Sequence, residues 1–411
     1  MQIKGNRGGL QLKEEKIFNK NYILMMIINT MLFISFNMVN PVLPKHVTDL
    51  GMSVTAAGVI SGCFSITSLI FRPLSGMAAD RLNPKKMYVI AGIMMAVACA
   101  GYAVAEGFAG LFALRVLHGI FFAVDSTVCL VMVTCFIPEG KMGQGIGLFG
   151  IGPIIAISFA PGMGLKLGGL FGYSFSFLIA SLMSLIGAVL ILFLSYEHRK
   201  AGENNDKELK IEVTKKNISF SIKKVIAFDV VIFAVLAGFF SFSNSIEYTF
   251  MALYSEARGI EDISVYFTVS AAFILISRLF AGKIYDRKGL SVVLYPAFLI
   301  AGAGMIVLGK ADVIGLFLIA AALKALGQGS GQPSLQSESL LTAGRDRRGI
   351  ASSTYYLGPD IMQGIGPIVG GIIIDHVGYE AMYYLCGILL LSGMAVYTVY
   401  TKIMNWRKND D

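Results

Sequence analysis

The chain is 411 residues long, 55% hydrophobic and only 15% charged, with a mean hydropathy of +0.69. Soluble domains carry roughly 25% charged residues, so most of this chain's surface does not face water, and lipid is the solvent that fits. The formal net charge of +8 calls for no nucleic acid, because it arises from the loops described below and no basic patch is interleaved with stacking aromatics.

Spanning a bilayer as a helix takes about 20 apolar residues. Asn21–Pro44 contains no charged residue, and its length exceeds that of a cleavable signal core. Uncharged runs also occupy Met87–Ala105, Met142–Leu165, Gly289–Gly309 and Ala381–Thr401. Backbone in lipid must bond to itself, and these runs are continuous rather than alternating, so helices are expected. Twelve are predicted, over 21–45, 54–80, 86–105, 108–136, 142–166, 173–196, 228–255, 263–285, 289–309, 313–340, 348–374 and 379–402. The first is the first spanning segment of the mature chain. The five cysteines lie inside apolar runs without zinc or disulfide spacing and read as small packing residues.

Ionisable and amide side chains inside such helices are costly and mark candidate sites. The first helix carries Asn29, Asn37 and Asn40 on one face. Arg115, His118 and Asp125 share one face of the fourth. The seventh carries Asn244, Glu247 and Tyr248, the tenth Lys324, Gln328 and Gln332 at four-residue intervals, and the eleventh Ser353, Tyr356, Asp360 and Gln363. Asp125 or Glu247 is expected to be the protonatable group, with Arg115 or Lys324 alternating between carboxylate and solute. The competing reading is a buried structural ion pair. His118 is a proton relay or a packing histidine.

Loop charge sets orientation, since cytoplasmic loops carry the excess of Lys and Arg. With the N-terminus inside, 25 of the 34 basic residues fall on inner segments, and only Lys45, Lys166, Arg258 and Lys310 lie outside or near the outer face. This gives an even number of spans with both termini cytoplasmic. The longest polar segment, 199–225, reads as a cytoplasmic linker between domains 1–198 and 226–411.

The chain also repeats itself at an offset of 206 residues. Arg72, Gly76, Asp80 and Arg81 map onto Arg278, Gly282, Asp286 and Arg287; Gly152, Pro153, Pro161 and Gly164 map onto Gly358, Pro359, Pro367 and Gly370; Gly172-Tyr173 maps onto Gly378-Tyr379. Six helices are therefore duplicated in parallel, an arrangement that places a site at the interface between halves. Arg72 and Arg278, one turn before each motif glycine, are expected to support the gate.

At these residues the sequence resembles the major facilitator superfamily, over nearly its whole length. Gly76-Met-Ala-Ala-Asp80-Arg81-Leu-Asn83-Pro84-Lys85-Lys86 is similar to the family's G-x-x-x-D-R-x-G-R-R loop, departing at Asn83 and Pro84. The second copy, Gly282-Lys-Ile-Tyr-Asp286-Arg287-Lys-Gly289, keeps the late glycine. Arg115 through Gly119 is similar to the R-x-x-x-G element, and Ala160-Pro161-Gly162-Met-Gly164 to an exporter signature in which Ala160 and Met163 replace glycines. The resemblance implies an all-α membrane fold of twelve transmembrane helices in two pseudo-symmetric six-helix bundles. It implies a central cavity lined by the first, fourth, seventh and tenth helices, and a gate at Gly76, Asp80, Arg81, Gly282, Asp286 and Arg287. The motif glycines would let helices approach closely, and the motif acids would cap a neighbouring helix. The expected function is proton-coupled efflux of a small organic solute by alternating access in the plasma (inner) membrane. Uptake by symport or facilitation, and a non-transporting sensor, are the alternatives. A monomer is expected, with solute and protons as partners and no cofactor, metal or nucleic acid. No metal cluster, nucleophile–base set or P-loop points to an enzyme.

Overall fold

The computed structural model describes residues 17–138, 141–195, 227–260, 262–344 and 347–410, and the expected linker 199–225 lies outside them. Among the described residues thirteen α-helices follow one another. They are α1 (Lys20–Asp49), α2 (Val54–Arg81), α3 (Pro84–Gly101), α4 (Phe108–Thr134), α5 (Met142–Phe149), α6 (Ile151–Phe171), α7 (Tyr173–Leu190), α8 (Val231–Ala257), α9 (Ser264–Lys288), α10 (Leu290–Gly309), α11 (Ile314–Thr342), α12 (Arg348–Val377) and α13 (Tyr379–Asp410). The predicted fifth helix is two, interrupted at Gly150, and the pair forms one span that runs to Phe171, past the predicted end. Eleven spans among the described residues are long and apolar enough to cross a membrane. The twelfth, α3, is only 18 residues and begins Pro84-Lys85-Lys86. The chain is thus an all-α, multi-pass membrane protein of twelve membrane-crossing elements.

The turns explain how the two copies of the repeat differ. In the first, Asn83 caps α3 by accepting from the Lys86 N–H at 3.2 Å, and Pro84 occupies the first helical turn, where its missing N–H costs nothing. In the second, Gly289 makes the turn at φ +79°, a left-handed conformation that favours glycine. The departures at Asn83 and Pro84 are therefore an alternative way of starting a helix. The glycines shared at 172 and 378 both have positive φ, +86° and +98°, so that match is a backbone requirement.

Each half packs around its own apolar core. In the C-terminal half, one cluster runs from Phe233 on α8 to Tyr397 on α13. The N-terminal half holds two clusters, one including Leu32, Met95 and Phe122, the other Ile28, Tyr88 and Val128. Between them along the helices lie Asn29, Gly92, Asp125 and Ser184, a polar layer. Buried Cys63, Cys99, Cys129 and Cys386 pack as expected, whereas Cys135 is exposed.

The halves meet where α2 packs on α12, α6 on α9 and α1 on α8. The first two contacts are equivalent under the repeat. The closest approach is a glycine seam. A Cβ on Gly58 would lie 2.1 Å from the Pro367 carbonyl oxygen, and one on Gly62 would lie 2.3 Å from that of Gly364. These contacts lie toward the face opposite the terminal face, where α1 begins and α13 ends. At that opposite face Asp375 accepts from the Val54 and Thr55 N–H groups at 3.2 and 2.8 Å. Ser53 takes the Ala56 N–H, so Asp375 supplies from the other half the cap that α2 needs. Lys45 pairs with Glu256 at 3.2 Å, and Ser264 and Thr268 donate to the carbonyls of Gly162 and Ser158.

Candidate functional site

Beneath that seam, about midway along the helices, a cavity of about 270 Å³ lies between the halves. Its wall draws on α1, α2, α4 and α6 from one half and on α8, α9, α11 and α12 from the other. A second chamber of about 210 Å³ shares Asn37, Phe64 and Gln363 with it and continues to Arg72 and Asp360 on the terminal side. Prolines shape this wall. Pro41, Pro161 and Pro367 each lack an N–H, so the carbonyls four residues earlier lose their helical partner. Those residues, Asn37, Ile157 and Gln363, all line the cavity.

Of the sequence-predicted residues, Asn37, Asn40, Arg115, Asn244, Tyr248, Gln328, Gln332 and Gln363 line the cavity. Arg115 is 2% exposed; its Nη2 donates to Asn40 Oδ1 at 2.7 Å and its guanidinium lies 4.5 Å from the Phe64 ring centroid. Its Nε and Nη1 have no hydrogen-bond partner, nor do the Tyr248 hydroxyl and Gln328 Oε1. Gln328 donates to Gln332 at 3.1 Å, and Gln332 donates to Ser241.

Glu247 and Lys324 stand one layer behind the wall, fully buried and ion-paired with each other. Lys324 also donates to Asn244 Oδ1 at 2.6 Å, and Asn244 carries the connection to the cavity. Tyr266 and Tyr383 stand within electrostatic reach of Glu247. The remaining predicted residues lie elsewhere. Asp125 is fully buried in the polar layer of the N-terminal half, with no hydrogen-bond partner on either oxygen. Asn29 lies in the same layer, and neither residue lines the cavity. The face of α4 that begins at Arg115 passes out of the cavity and into the bundle interior by Asp125. His118 is sealed against Phe36 and Phe64 and bonds Tyr102 at 3.2 Å, also behind the wall. Asp360 lines the second chamber instead, where it pairs with Arg72 at 3.8 Å across the interface between the halves.

The gate residues give a different result from the expected close packing. A Cβ added at Gly76 or Gly282 would meet nothing within 4 Å, so neither glycine is required for helix contact in this conformation. Arg81, Asp286 and Arg287 are exposed. The backbone of Asp80 ends α2, and its side chain lies outside the described residues. Arg278, assigned to the gate by its spacing, instead reaches the cavity. Ser61, Phe64 and Ser65 on α2 and Ser245 and Thr249 on α8 also line it; the four-residue spacing of Ser61 and Ser65 was their only signal. Among the described residues no group of three or more His, Cys, Asp or Glu side chains is placed to hold a metal.

The sequence model of the Major Facilitator Superfamily matches residues 25–358 and again 297–409. The chain belongs to this superfamily. It is 24% identical over 390 residues to the staphylopine export protein of Staphylococcus aureus (strain Mu50 / ATCC 700699), covering 90% of this chain and 93% of that one. It is 22% identical over 414 residues to multidrug resistance protein 2 of Bacillus subtilis (strain 168), covering 96% and 98%. Among solved structures it resembles a bacterial homologue of the human lysosomal transporter Spinster, inward-facing and unoccupied, with a TM-score of 0.76, 15% identity and coverage of 93% and 98%. It also resembles the nucleoside transporter NupG, with a TM-score of 0.70, 13% identity and coverage of 92% and 99%. The all-helical architecture expected from the sequence is thus shared with membrane transporters rather than enzymes.

Proposed function

We propose that this transporter exports a small organic solute in exchange for protons, with the two halves rocking about the cavity as one chain acting alone. The observation that carries the reading is a mid-helix cavity walled by both halves and closed on one face by contacts that inter-half motion would release. Relatives that carry export and drug resistance in their names support the direction. The terminal face is taken as cytoplasmic because Lys85, Lys86, Arg287, Lys288 and Arg347 cluster there, and the membrane as the plasma membrane, as for bacterial relatives.

Glu247 is the coupling group in this reading. It is held by Lys324, and Lys324 is held by Asn244 on the cavity wall. Proton uptake by Glu247 would free the ammonium to act on the cavity through Asn244, biasing the equilibrium between two conformations. Asp125 lacks such a connection. The test is solute flux in vesicles under an imposed pH gradient. Glu247→Gln is expected to abolish accumulation against a gradient while leaving downhill exchange. Flux in the unmodified chain that ignores the pH gradient would remove proton coupling; accumulation on the terminal side would reverse the direction.

A further inference from the structure

The cavity's charge is one-sided. Arg115 and Arg278 line it, and among the described residues no Asp or Glu does. The nearest acids are engaged elsewhere, Glu247 with Lys324 and Asp360 with Arg72. A guanidinium withdrawn from water without a counter-charge costs several kcal/mol. Arg115 has met only part of that cost: it has one bond to Asn40 and the face of Phe64, and two nitrogens without a partner.

The repeat shows why Arg278, exposed rather than buried, has no ion pair among the described residues. Its counterpart Arg72 pairs with Asp360, and the residue 206 positions before Asp360 is Ile154. Ile154 lies on the cavity wall together with Arg278. One copy of the repeated arginine thus has a protein carboxylate, while at the position equivalent to that carboxylate the other copy has an aliphatic residue on the same cavity wall.

We propose that the missing carboxylate is the solute's. The transported class is a small organic carboxylate bridging Arg115 of one half and Arg278 of the other. This rests on the transporter reading above and narrows it. The Tyr248 hydroxyl offers a further donor to the anion. Gln328 Oε1 is an open acceptor, so the solute also bears an O–H or N–H donor, as hydroxy- and amino-carboxylates do. The volume, about 270 Å³, lies near the small end of ligand pockets, roughly 300–1,000 Å³. Lipophilic cations meet two like charges and are disfavoured.

The test uses the full chain in vesicles, with labelled malate and aspartate as anionic probes, ethidium as a cation and uridine as a neutral solute. Flux of an anionic probe, blocked by unlabelled anion and not by ethidium, is expected. The decisive variant is Ile154→Asp, which gives Arg278 the partner that Arg72 already has. It is expected to weaken anion transport about tenfold or more, as for the loss of a charged hydrogen bond, and to admit ethidium. Ile154→Asn, which adds polarity without charge, controls for disturbance of the wall, and monodispersity in detergent reports folding. Carriage of ethidium alone, or anion flux untouched by Ile154→Asp, overturns the carboxylate assignment and leaves the transporter reading standing. If no probe moves and none raises the melting temperature of the purified chain, the transporter reading itself falls.

Discussion

Each half of the molecule hides one carboxyl group in its interior, and the two are treated differently. Glu247 has a full ion pair with Lys324 and a route through Asn244 to the cavity. Asp125 has no hydrogen-bond partner and lies in a polar layer between two apolar clusters. Burial alone therefore does not mark a coupling site. What separates the two acids is a chain of contacts along which a change of charge can be felt at the cavity wall.

The largest test of that contrast is Lys324→Met. It strands Glu247 without its cation, and removing one partner of a buried pair costs about 3–5 kcal/mol. A large drop in thermal midpoint in detergent is expected, and Glu247→Gln in the same background should recover most of it. If the double variant is as unstable as the single one, the pair is not the unit described here. A smaller effect is expected from Asp125→Asn, which keeps the shape of the side chain. Flux and its pH dependence should stay within about twofold, because the group has no path to the cavity. A shifted pH profile in this variant, with an unchanged one in Glu247→Gln, would exchange the roles of the two halves. Smallest is Asp375→Asn at the opposite face. It weakens the charged cap on α2 by about 1 kcal/mol and should raise the labelling rate of a cysteine placed at Thr55 about fivefold. An unchanged rate would show that the cap does not hold the halves together.

Much of this architecture could be read from the residues. Long uncharged runs, the charge of the loops and the 206-residue repeat each follow from one solvent and one duplication, so they survive without knowledge of packing. Eight of the predicted polar residues line the cavity because a polar or charged side chain in lipid has few other places to go. The failures have physical causes. Helical spacing puts Arg115 and Asp125 on one stripe, but a helix 27 residues long passes out of the cavity into the bundle core along that stripe. Arg278 looked like gate machinery because, like Arg72, it stands one turn before a motif glycine; the difference lies at position 154, distant in sequence. The break at Gly150 does have a cause in the sequence, since Pro153 lacks the N–H that the Phe149 carbonyl would accept, but a single proline does not say whether a helix bends or stops. Pairing of Glu247 with Lys324 joins residues far apart in the chain, and only the fold brings them together.

The glycine seam between α2 and α12 has a mechanical consequence. At Gly58 and Gly62 the nearest partner atoms are main-chain carbonyls, with the Ile368 side chain beside Gly62, so a side chain swinging aside does not by itself make an opening. Water can enter from that face only if the two helices part as rods, which commits both bodies to moving at once. A passage sealed in this way has no partly open setting, and leakage of water and small ions through it is held down by the stiffness of the backbone itself.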